Sequence, residues 1–310
     1  MLGPVVFKAD SHEDFQPMQV APWADEPGAG ALPGLLRRLR GEWPCVPFGR
    51  VDELRELPSG WTPRTADDEW SHGYASHHDW EWVDPDDPSS LAMTLHYPET
   101  SAMQRLTRRV AAAADAPALE ISLRIEVRRH CVVPVALHPT LRLDRGRVEL
   151  RVPHRGQGFT YPVDVSPDVS LLAPDRGFFD LARAPAIDGR DIELDKFPQP
   201  VDSEELVQLM DCTGPVTVDY VDQRWALQID WDRTQLPDVM LWVSHRGRAH
   251  APWSGRHWAL GVEPLNGVFD LGRVVSPPDD HPLAARRGLA LDPAAPRVIR
   301  YSLRALPNAS

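Results

Sequence analysis

One carboxylate and two histidines stand in sequence contexts where a polar side chain calls for an explanation. Glu263 interrupts an otherwise apolar run, and a buried carboxylate is costly unless it is paired or performs chemistry. His138 follows an apolar stretch and precedes Pro139, while His72 precedes a glycine. An acid, a base and a third polar group are what proton transfer on a neutral small molecule requires. These three residues are therefore our candidates for acid/base chemistry.

Each candidate also has a purely structural interpretation. His72 could be a loop histidine that hydrogen-bonds to the backbone, and the spacing alone favours this interpretation. His138 could be a satisfied core histidine, although its place at the end of a strand is a natural entry to a cleft. Glu263 could form a salt bridge with Arg256 or another arginine. Both interpretations of each residue stay open at this point.

Neither a metal site nor a disulfide framework is indicated. A metal-binding alternative rests on one cluster of side chains, His72, His77, His78 and Asp79, but its spacing fits no familiar ligand pattern. The cysteines are three in number and far apart, at Cys45, Cys131 and Cys212. We therefore expect no metal, no cofactor and a reducing cytoplasmic location.

The charge balance excludes one large class of partner. The 310 residues carry a net charge of -12, whereas nucleic-acid binding needs a basic face. No apolar stretch is long enough to span a membrane, and no signal peptide is evident at the start, so we expect neither nucleic acid nor membrane as a partner. The sequence indicates no oligomeric state.

Strand patterns dominate the chain. Residues 119–127 alternate apolar and polar side chains, which predicts a strand with one buried and one solvated face. The same alternation recurs at 148–152, 225–231 and 299–303. Continuous apolar runs at 132–137 and 239–243 predict strands that are buried on both faces. The sum predicts an all-β fold, a large and mostly antiparallel β-sandwich.

A few segments favour other structure. Residues 203–210 begin with a serine cap and early acidic residues, which predicts a short helix. Residues 103–114 suit a helix by propensity but could also alternate as a strand. Residues 35–40 could form a short basic turn of helix. Residues 1–33, rich in Pro, Gly and acidic residues, predict an irregular arm with one possible strand near Val5–Phe7. We expect one domain over residues 1–310.

Three short motifs resemble the galactose mutarotase-like family, the aldose 1-epimerases. Family members carry a His-Gly element, a His-Pro element after a buried strand and a late Glu-Pro element. The corresponding pairs here are His72-Gly73, His138-Pro139 and Glu263-Pro264, in the same order and with roughly the same spacing. The resemblance covers about residues 48–270. It implies a β-supersandwich with few short helices and a sugar-binding cleft on a concave sheet face.

The resemblance also implies roles for individual residues. Glu263 would take the proton from the anomeric hydroxyl, His138 would protonate the ring oxygen, and His72 would hydrogen-bond the sugar. Arg50 lies where the family often places an Asn-Arg pair, and Asp211 loosely matches a Leu-Asp-Asp element, so both are candidate sugar ligands. The family's Gly-x-His-Pro-Tyr-Phe reads Ala-Leu-His-Pro-Thr-Leu here, so the sugar need not be galactose or glucose.

Three functions are compatible with these residues. The first is an epimerase that interconverts the anomers of a small-molecule sugar. The second is a catalytically silent carbohydrate-binding protein on the same fold, since a fold does not fix a function. The third is an epimerase of a phosphorylated or acidic sugar, in which the run 245–248 and Arg256-His257 would supply a basic rim for an anion.

Overall fold

Two large antiparallel sheets pack against each other and form most of the molecule. The computed structural model describes residues 1–9, 12–37, 39–54, 56–85, 87–166 and 168–308. The strands within these ranges are, in chain order, β1 Pro44–Cys45, β2 Thr62–Pro63, β3 Glu81–Val83, β4 Ser90–His96, β5 Met103–Ala112, β6 Ala118–Val127, β7 Cys131–Val133, β8 Val135–Leu137, β9 Thr140–Arg142, β10 Val148–Arg151, β11 Gly158–Thr160, β12 Gly177–Phe178, β13 Ala184–Pro185, β14 Asp191–Ile192, β15 Lys196–Phe197, β16 Ser203–Leu209, β17 Val216–Tyr220, β18 Trp225–Trp231, β19 Asp238–His245, β20 Trp258–Asn266, β21 Val275–Ser276, β22 Leu289–Leu291 and β23 Arg297–Pro307.

Helical structure is scarce in the described residues. One short α-helix, α1, spans Gly34–Arg37, and five 3-10 turns cover Ala29–Ala31, Tyr74–Ser76, Leu181–Arg183, Val221–Gln223 and Pro282–Ala285. The predicted basic turn over 35–40 therefore overlaps α1, although its residue 38 lies outside the described residues. Near Val5–Phe7 the structure has only an isolated bridge between Phe7 and Phe15.

The first sheet has the order β1-β8-β20-β19-β16-β11-β12, with β9 also paired to β20. The second has the order β15-β10-β17-β18-β23-β6-β5-β4-β3. Three two-stranded sheets, β13-β14, β2-β21 and β22-β7, complete the described pairing. The predicted all-β, mostly antiparallel sandwich with few short helices is confirmed.

The first sheet is buried on both of its faces, which explains its apolar strands. Val207, Leu241 and Val262 point toward the second sheet and join the core cluster between the sheets. Their neighbours Leu206 and Trp242 point the other way, into a second cluster with residues from the N-terminal arm and late loops. The outer face of the first sheet, which points away from the second sheet, carries the candidate site.

The predicted helix at 203–210 is wrong. This segment is the strand β16, and every residue in it is buried. Its two acids, Glu204 and Glu205, resemble helix-start residues in sequence, but they point to opposite faces of the sheet. Each has buried partners there: Ser244 and Trp242 donate to Glu204, and the backbone N–H groups of residues 171 and 172 donate to Glu205. Tertiary hydrogen bonds thus override the local helix signal.

The structure also decides the conformation of two other segments. The ambiguous segment 103–114 is the strand β5, which pairs with β4 and β6. The run 132–137 is not one strand buried on both faces. Pro134, which lacks an N–H, separates the half-exposed β7 from the fully buried β8.

Candidate active site

His138 and Glu263 face each other across neighbouring strands. The strand β20 pairs with β8 at one end, where Leu265 lies opposite Ala136. It pairs with β9 further along, where Gly261 lies opposite Thr140. Both stretches share one register, and that register places Glu263 opposite His138. Residues directly opposite in an antiparallel pair point to the same face, so both side chains reach the outer face of the sheet.

The His-Pro motif interrupts the ladder at this point. Pro139 has no N–H to donate, so β8 ends at Leu137 and β9 begins at Thr140. The N–H of His138 donates instead to the carbonyl of Trp43, at 2.9 Å, and the carbonyl of Pro139 accepts from the N–H of Val262, at 2.8 Å. The gap in the ladder leaves His138 Nε2 3.3 Å from Glu263 Oε1.

A glycine two residues before Glu263 makes room for its carboxylate. A Cβ on Gly261 would lie 2.6 Å from Glu263 Oε1 and 3.0 Å from the Cβ of Trp242. Any larger side chain at this position would therefore displace the carboxylate from His138.

Burial sets the protonation of the pair. Both side chains are buried. Burial, with the charge of Asp270, raises the pKa of Glu263 well above its usual value, while burial and the neighbouring His72 lower the pKa of His138 well below its own. The pair therefore holds one proton between its facing atoms over a wide pH range. Glu263 Oε2 has no hydrogen-bond partner among the described residues, which leaves it free for a ligand.

Two neighbours fix the imidazole of His138. The Nδ1 atom lies 3.1 Å from Thr140 Oγ1, and the ring stacks on Trp43 with centroids 4.0 Å apart. If Thr140 accepts from Nδ1–H, the nitrogen that exchanges its proton is Nε2, which faces Glu263. Trp43 is the residue directly before β1. Its ring provides the aromatic contact to His138, since the motif itself, His-Pro-Thr-Leu, contains no aromatic residue.

His72 joins the pair from a tight turn. Its ring centroid lies 5.7 Å from that of His138, and burial lowers its pKa to about 4, so it is neutral at pH 7. The residue has a φ of 58°, and the N–H of His72 donates to the carbonyl of Gly49. The following Gly73 is needed because a Cβ there would lie 2.5 Å from a backbone carbonyl. His72 Nδ1 has no partner among the described residues.

Asp270 completes the polar part of the site, and we did not predict it from the sequence. Its carboxylate lines the same cavity, and Tyr161 Oη donates to it at 2.7 Å. An aspartate inside the apolar stretch that follows Glu263 is the same kind of signal that singled out Glu263, so the sequence did contain a clue.

Neither of the two other predicted sugar ligands, Arg50 and Asp211, lines the cavity. Burial lowers the pKa of Arg50, but the charges and hydrogen bonding of the neighbouring Tyr161 and Asp270 together outweigh it and raise that pKa. Arg50 thus lies beside Asp270 without lining the cavity. Asp211 is exposed, and Arg286 donates to its carboxylate at 2.5 Å. The shared cavity thus brings together His72, His138 and Glu263 but not Arg50 or Asp211.

The cavity around these residues has a volume of about 140 Å³. A void of roughly 150 Å³ accommodates one six-membered ring. The lining comprises Leu35, Leu36, Leu39, Trp43, His72, His138, Leu206, Met240, Trp242, Arg248, Trp253, Glu263 and Asp270. A few polar groups at one end of an apolar, aromatic wall suit a monosaccharide, whose C–H faces pack on aromatic rings.

The residues after the N-terminal arm form one wall of this cavity. Leu35 and Leu36 belong to α1, and Leu39 follows shortly after it. Trp23 Nε1 donates to the carbonyl of Leu36 at 2.9 Å, and the N–H of Ala21 donates to that of Leu39 at 3.0 Å. The arm is therefore tied to the site and limits the space available to a ligand.

A larger cavity lies elsewhere but has no comparable chemistry. It has a volume of about 830 Å³ and lies along the hairpin β13-β14 and the residues around β15. Its charged lining residues are all in ion pairs: Asp188 with Arg190, Glu193 with Lys196, and Asp191 with Arg183. No histidine is among the described residues that line it. Size alone therefore does not identify the functional site.

The predicted basic rim does not form around the cavity. Arg246 pairs with Asp202, and Arg256 pairs with Glu26 on the surface, so Arg256 is not the partner of Glu263. Of the three arginines in this region, only Arg248 lines the cavity, and it pairs with the buried Glu204.

A chain of hydrogen bonds leads from that ion pair to a buried histidine. Ser244 Oγ donates to Glu204 Oε1 at 2.6 Å. A hydroxyl has one hydrogen, so Ser244 must accept from His257 Nδ1, which lies 2.9 Å away. His257 is therefore a neutral Nδ1–H tautomer, and burial and Arg248 lower its pKa to about 3.

His257 should make the protein less stable in acid. The unfolded chain binds a proton at this histidine below pH 6.5 and the native state does not until about pH 3, so stability falls as the pH falls through this interval. From pH 8 to pH 5 this one group should cost about 2 kcal/mol of unfolding free energy. Urea unfolding at the two pH values should show that His257→Asn, which keeps a donor toward Ser244, reduces the pH dependence by that amount. The exposed His130→Asn is the control; an equal reduction there would contradict the assignment.

The other clustered histidines make local contacts. His77 Nε2 lies 2.7 Å from the carbonyl of Ser71, and His78 Nδ1 lies 2.9 Å from that of Tyr74. Within the described ranges, no group of three or more His, Cys, Asp or Glu side chains is arranged to hold a metal ion. Nor does any helix in those ranges have the length and apolar character needed to cross a membrane.

Comparison with solved structures identifies the fold. An aldose epimerase homologue from C. elegans superposes with a TM-score of 0.59 at 12% identity, covering 98% of this chain and 92% of that one. A galactose mutarotase related enzyme from Lactobacillus acidophilus gives a TM-score of 0.53 at 14% identity, covering 97% of this chain and 90% of that one. No protein-family model and no curated protein matches the sequence. The chain therefore has the galactose mutarotase-like fold, at an identity too low to transfer an activity.

Proposed function

We propose that this protein is an aldose 1-epimerase that interconverts the α and β anomers of a neutral monosaccharide. The observation that supports this most directly is the buried pair of His138 Nε2 and Glu263 Oε1, 3.3 Å apart at the polar end of a ring-sized cavity. Ring opening needs one group to remove the anomeric hydroxyl proton and another to protonate the ring oxygen. A pair that shares one proton supplies both.

In the empty cavity the shared proton is on Glu263. When a sugar binds, this proton passes from Glu263 Oε1 to His138 Nε2, so ring opening begins with Glu263 ionised and His138 protonated. Glu263 accepts the proton of the anomeric hydroxyl while His138 Nε2–H protonates the ring oxygen, and the C1–O5 bond breaks to give the open-chain aldehyde. The pair is now a carboxylic acid and a neutral imidazole, which is the form that burial favours in the empty cavity. After rotation about C1–C2, His138 removes the O5 proton, O5 attacks the other face of C1, and Glu263 protonates O1.

The charges around the cavity favour a neutral sugar over a phosphorylated or acidic one. Arg248 is already paired with Glu204, and Asp270 adds a carboxylate on the same lining. An anionic substrate would bring a further negative charge into a partly desolvated site without a free cation to balance it.

The test is anomer exchange measured by NMR or polarimetry. Freshly dissolved α-anomers of glucose, galactose, mannose, xylose and arabinose should equilibrate faster with the protein than with heat-denatured protein. The protein should accelerate the anomer exchange of glucose 6-phosphate and glucuronate less. Saturable binding of these sugars without a rate above the spontaneous one would instead show a silent carbohydrate-binding protein.

The cysteines support a cytoplasmic location as part of this proposal. Cys45, Cys131 and Cys212 are all free thiols, as is typical of proteins in reducing compartments.

A further inference from the structure

A guanidinium group whose charge is balanced by a buried carboxylate lies on the wall of the cavity. Arg248 follows β19 in the loop that leads to β20, and its Nε atom lies 3.2 Å from Glu204 Oε2. Glu204 is completely buried, and Trp242 Nε1 also donates to it at 3.2 Å. The ion pair is therefore part of the fixed floor of the site and not a mobile surface contact.

The orientation of Arg248 leaves one edge of its guanidinium free. The planar group lies over the rings of Trp253 and Trp242, with its central carbon 4.4 and 5.5 Å from their centroids. Its Nε edge faces the carboxylate of Glu204. Its two terminal nitrogens form no hydrogen bond with the other described residues that line the cavity. Since a guanidinium has five N–H donors, several remain for a ligand.

The sheet register places this donor edge at the far end of the site from the acid/base pair. Glu263 is opposite Met240, whereas Ser244, the neighbour of Glu204, is opposite Ala259, four residues along β20. From that end the Arg248 guanidinium reaches back over Trp242, which lies opposite Gly261, two residues or roughly 7 Å along β20 from Glu263. A ring with its anomeric carbon at Glu263 would thus direct its opposite hydroxyls toward Arg248.

We propose that Arg248 is a sugar-binding residue that donates to two neighbouring hydroxyls at the end of the ring remote from the anomeric carbon. This inference rests on the proposed function and adds the substrate class: neutral aldoses with a free vicinal diol at C3 and C4. A planar fork of donors matches two adjacent oxygens, and the charge balance with Glu204 suits hydroxyls better than an anion.

Glu204, Ser244 and His257 are positioning residues for this contact. Ser244 donates to Glu204 and accepts from His257, and the imidazole of His257 stacks on Trp242 with centroids 5.4 Å apart. Trp242 in turn lies beneath the Arg248 guanidinium. The same residues thus hold both the carboxylate that orients Arg248 and the ring on which it rests.

The experiment compares Arg248→Met with wild type on whichever neutral hexose is turned over, and on its 3-deoxy and 4-deoxy analogues. Loss of charge-assisted hydrogen bonds should raise KM for the parent sugar about tenfold, with kcat changed less than about threefold. Each deoxy analogue lacks one of the two contacted hydroxyls, so the same substitution should raise KM for it by only about threefold. Equal effects on all three sugars would overturn the proposal, as would a wild-type preference for the 6-phosphate that disappears in the variant.

Two further variants keep the test decisive. Arg246→Met is the matched control, because Arg246 is in the same loop and stacks on Trp258 but lies outside the cavity; its KM should equal that of wild type. If Arg248→Met fails to fold because Glu204 loses its partner, Arg248→Met combined with Glu204→Gln removes both charges and carries the comparison. If wild type turns over no sugar, the proposed function fails, and NMR titration of glucose into wild type and variant still tests the Arg248 contact.

Discussion

Glu263→Gln should lower kcat/KM for anomer interconversion by about 10³-fold, because the amide cannot exchange a proton with His138. The substitution preserves size and keeps a hydrogen-bonding group toward His138 Nε2. It also removes a buried carboxyl whose Oε2 has no partner among the described residues. The unfolding free energy should therefore fall by no more than about 1 kcal/mol. Polarimetry on the most active sugar, beside urea unfolding, measures both quantities.

Glu205→Gln is the matched control for this prediction. Glu205 is also a buried acid in the same sheet, with a pKa that burial raises to about 7, but it points away from the cavity and accepts from the backbone of residues 171 and 172. Its substitution should leave the exchange rate within about threefold of wild type. Unchanged exchange in Glu263→Gln, or equal losses in the two variants, would mean that Glu263 is not the proton-transfer group.

Arg108→Met should destabilise the fold by about 3–5 kcal/mol, since it leaves a buried carboxylate without its cation. Arg108 in β5 of the second sheet forms an ion pair with Glu42, and both side chains are almost fully buried. Tyr301 Oη donates to the same carboxylate at 2.8 Å. Glu42 directly precedes Trp43, the residue before β1 that stacks on His138, so this ion pair connects the second sheet to the wall of the site.

The double variant Arg108→Met with Glu42→Gln separates lost packing from an unpaired charge. The neutral amide still accepts from Tyr301, so most of the lost stability should return in the double variant. Arg147→Met breaks an exposed pair with Asp222 and should cost less than about 1 kcal/mol. These values come from urea unfolding at pH 7. A loss of under 1 kcal/mol in Arg108→Met would show that the buried pair does not stabilise the fold.

The Arg108 variant also links stability to the site. The double variant should keep the exchange activity, because the backbone around Trp43 stays anchored by its own hydrogen bonds and the amide introduced in place of Glu42 still accepts from Tyr301. Leu2 and Glu42 exchange backbone hydrogen bonds of 2.7 and 2.8 Å, and the carbonyl of Trp43 accepts from His138.

The sequence alone determined the features that depend on local burial. The alternation at 119–127 corresponds to β6, and the apolar run at 239–243 lies within the fully buried β19. Side-chain periodicity reports which faces of a strand are buried, and that is a property of consecutive residues. Glu263, His138 and His72 were found for a related reason, since a polar residue in an apolar or glycine-marked context is visible without knowing its partners.

Only the tertiary structure decided which residues meet. The register of β20 against β8 and β9 places Glu263 opposite His138. The loops after β20 and β19 bring Asp270 and Arg248 to the same cavity, while Arg50 and Asp211 stay outside it. The strand at Ser203–Leu209 was also beyond local prediction, because its acids are stabilised by Ser244, Trp242 and distant backbone N–H groups. Strand register and buried hydrogen bonds join residues far apart in the chain, so their energies are absent from any local stretch of sequence.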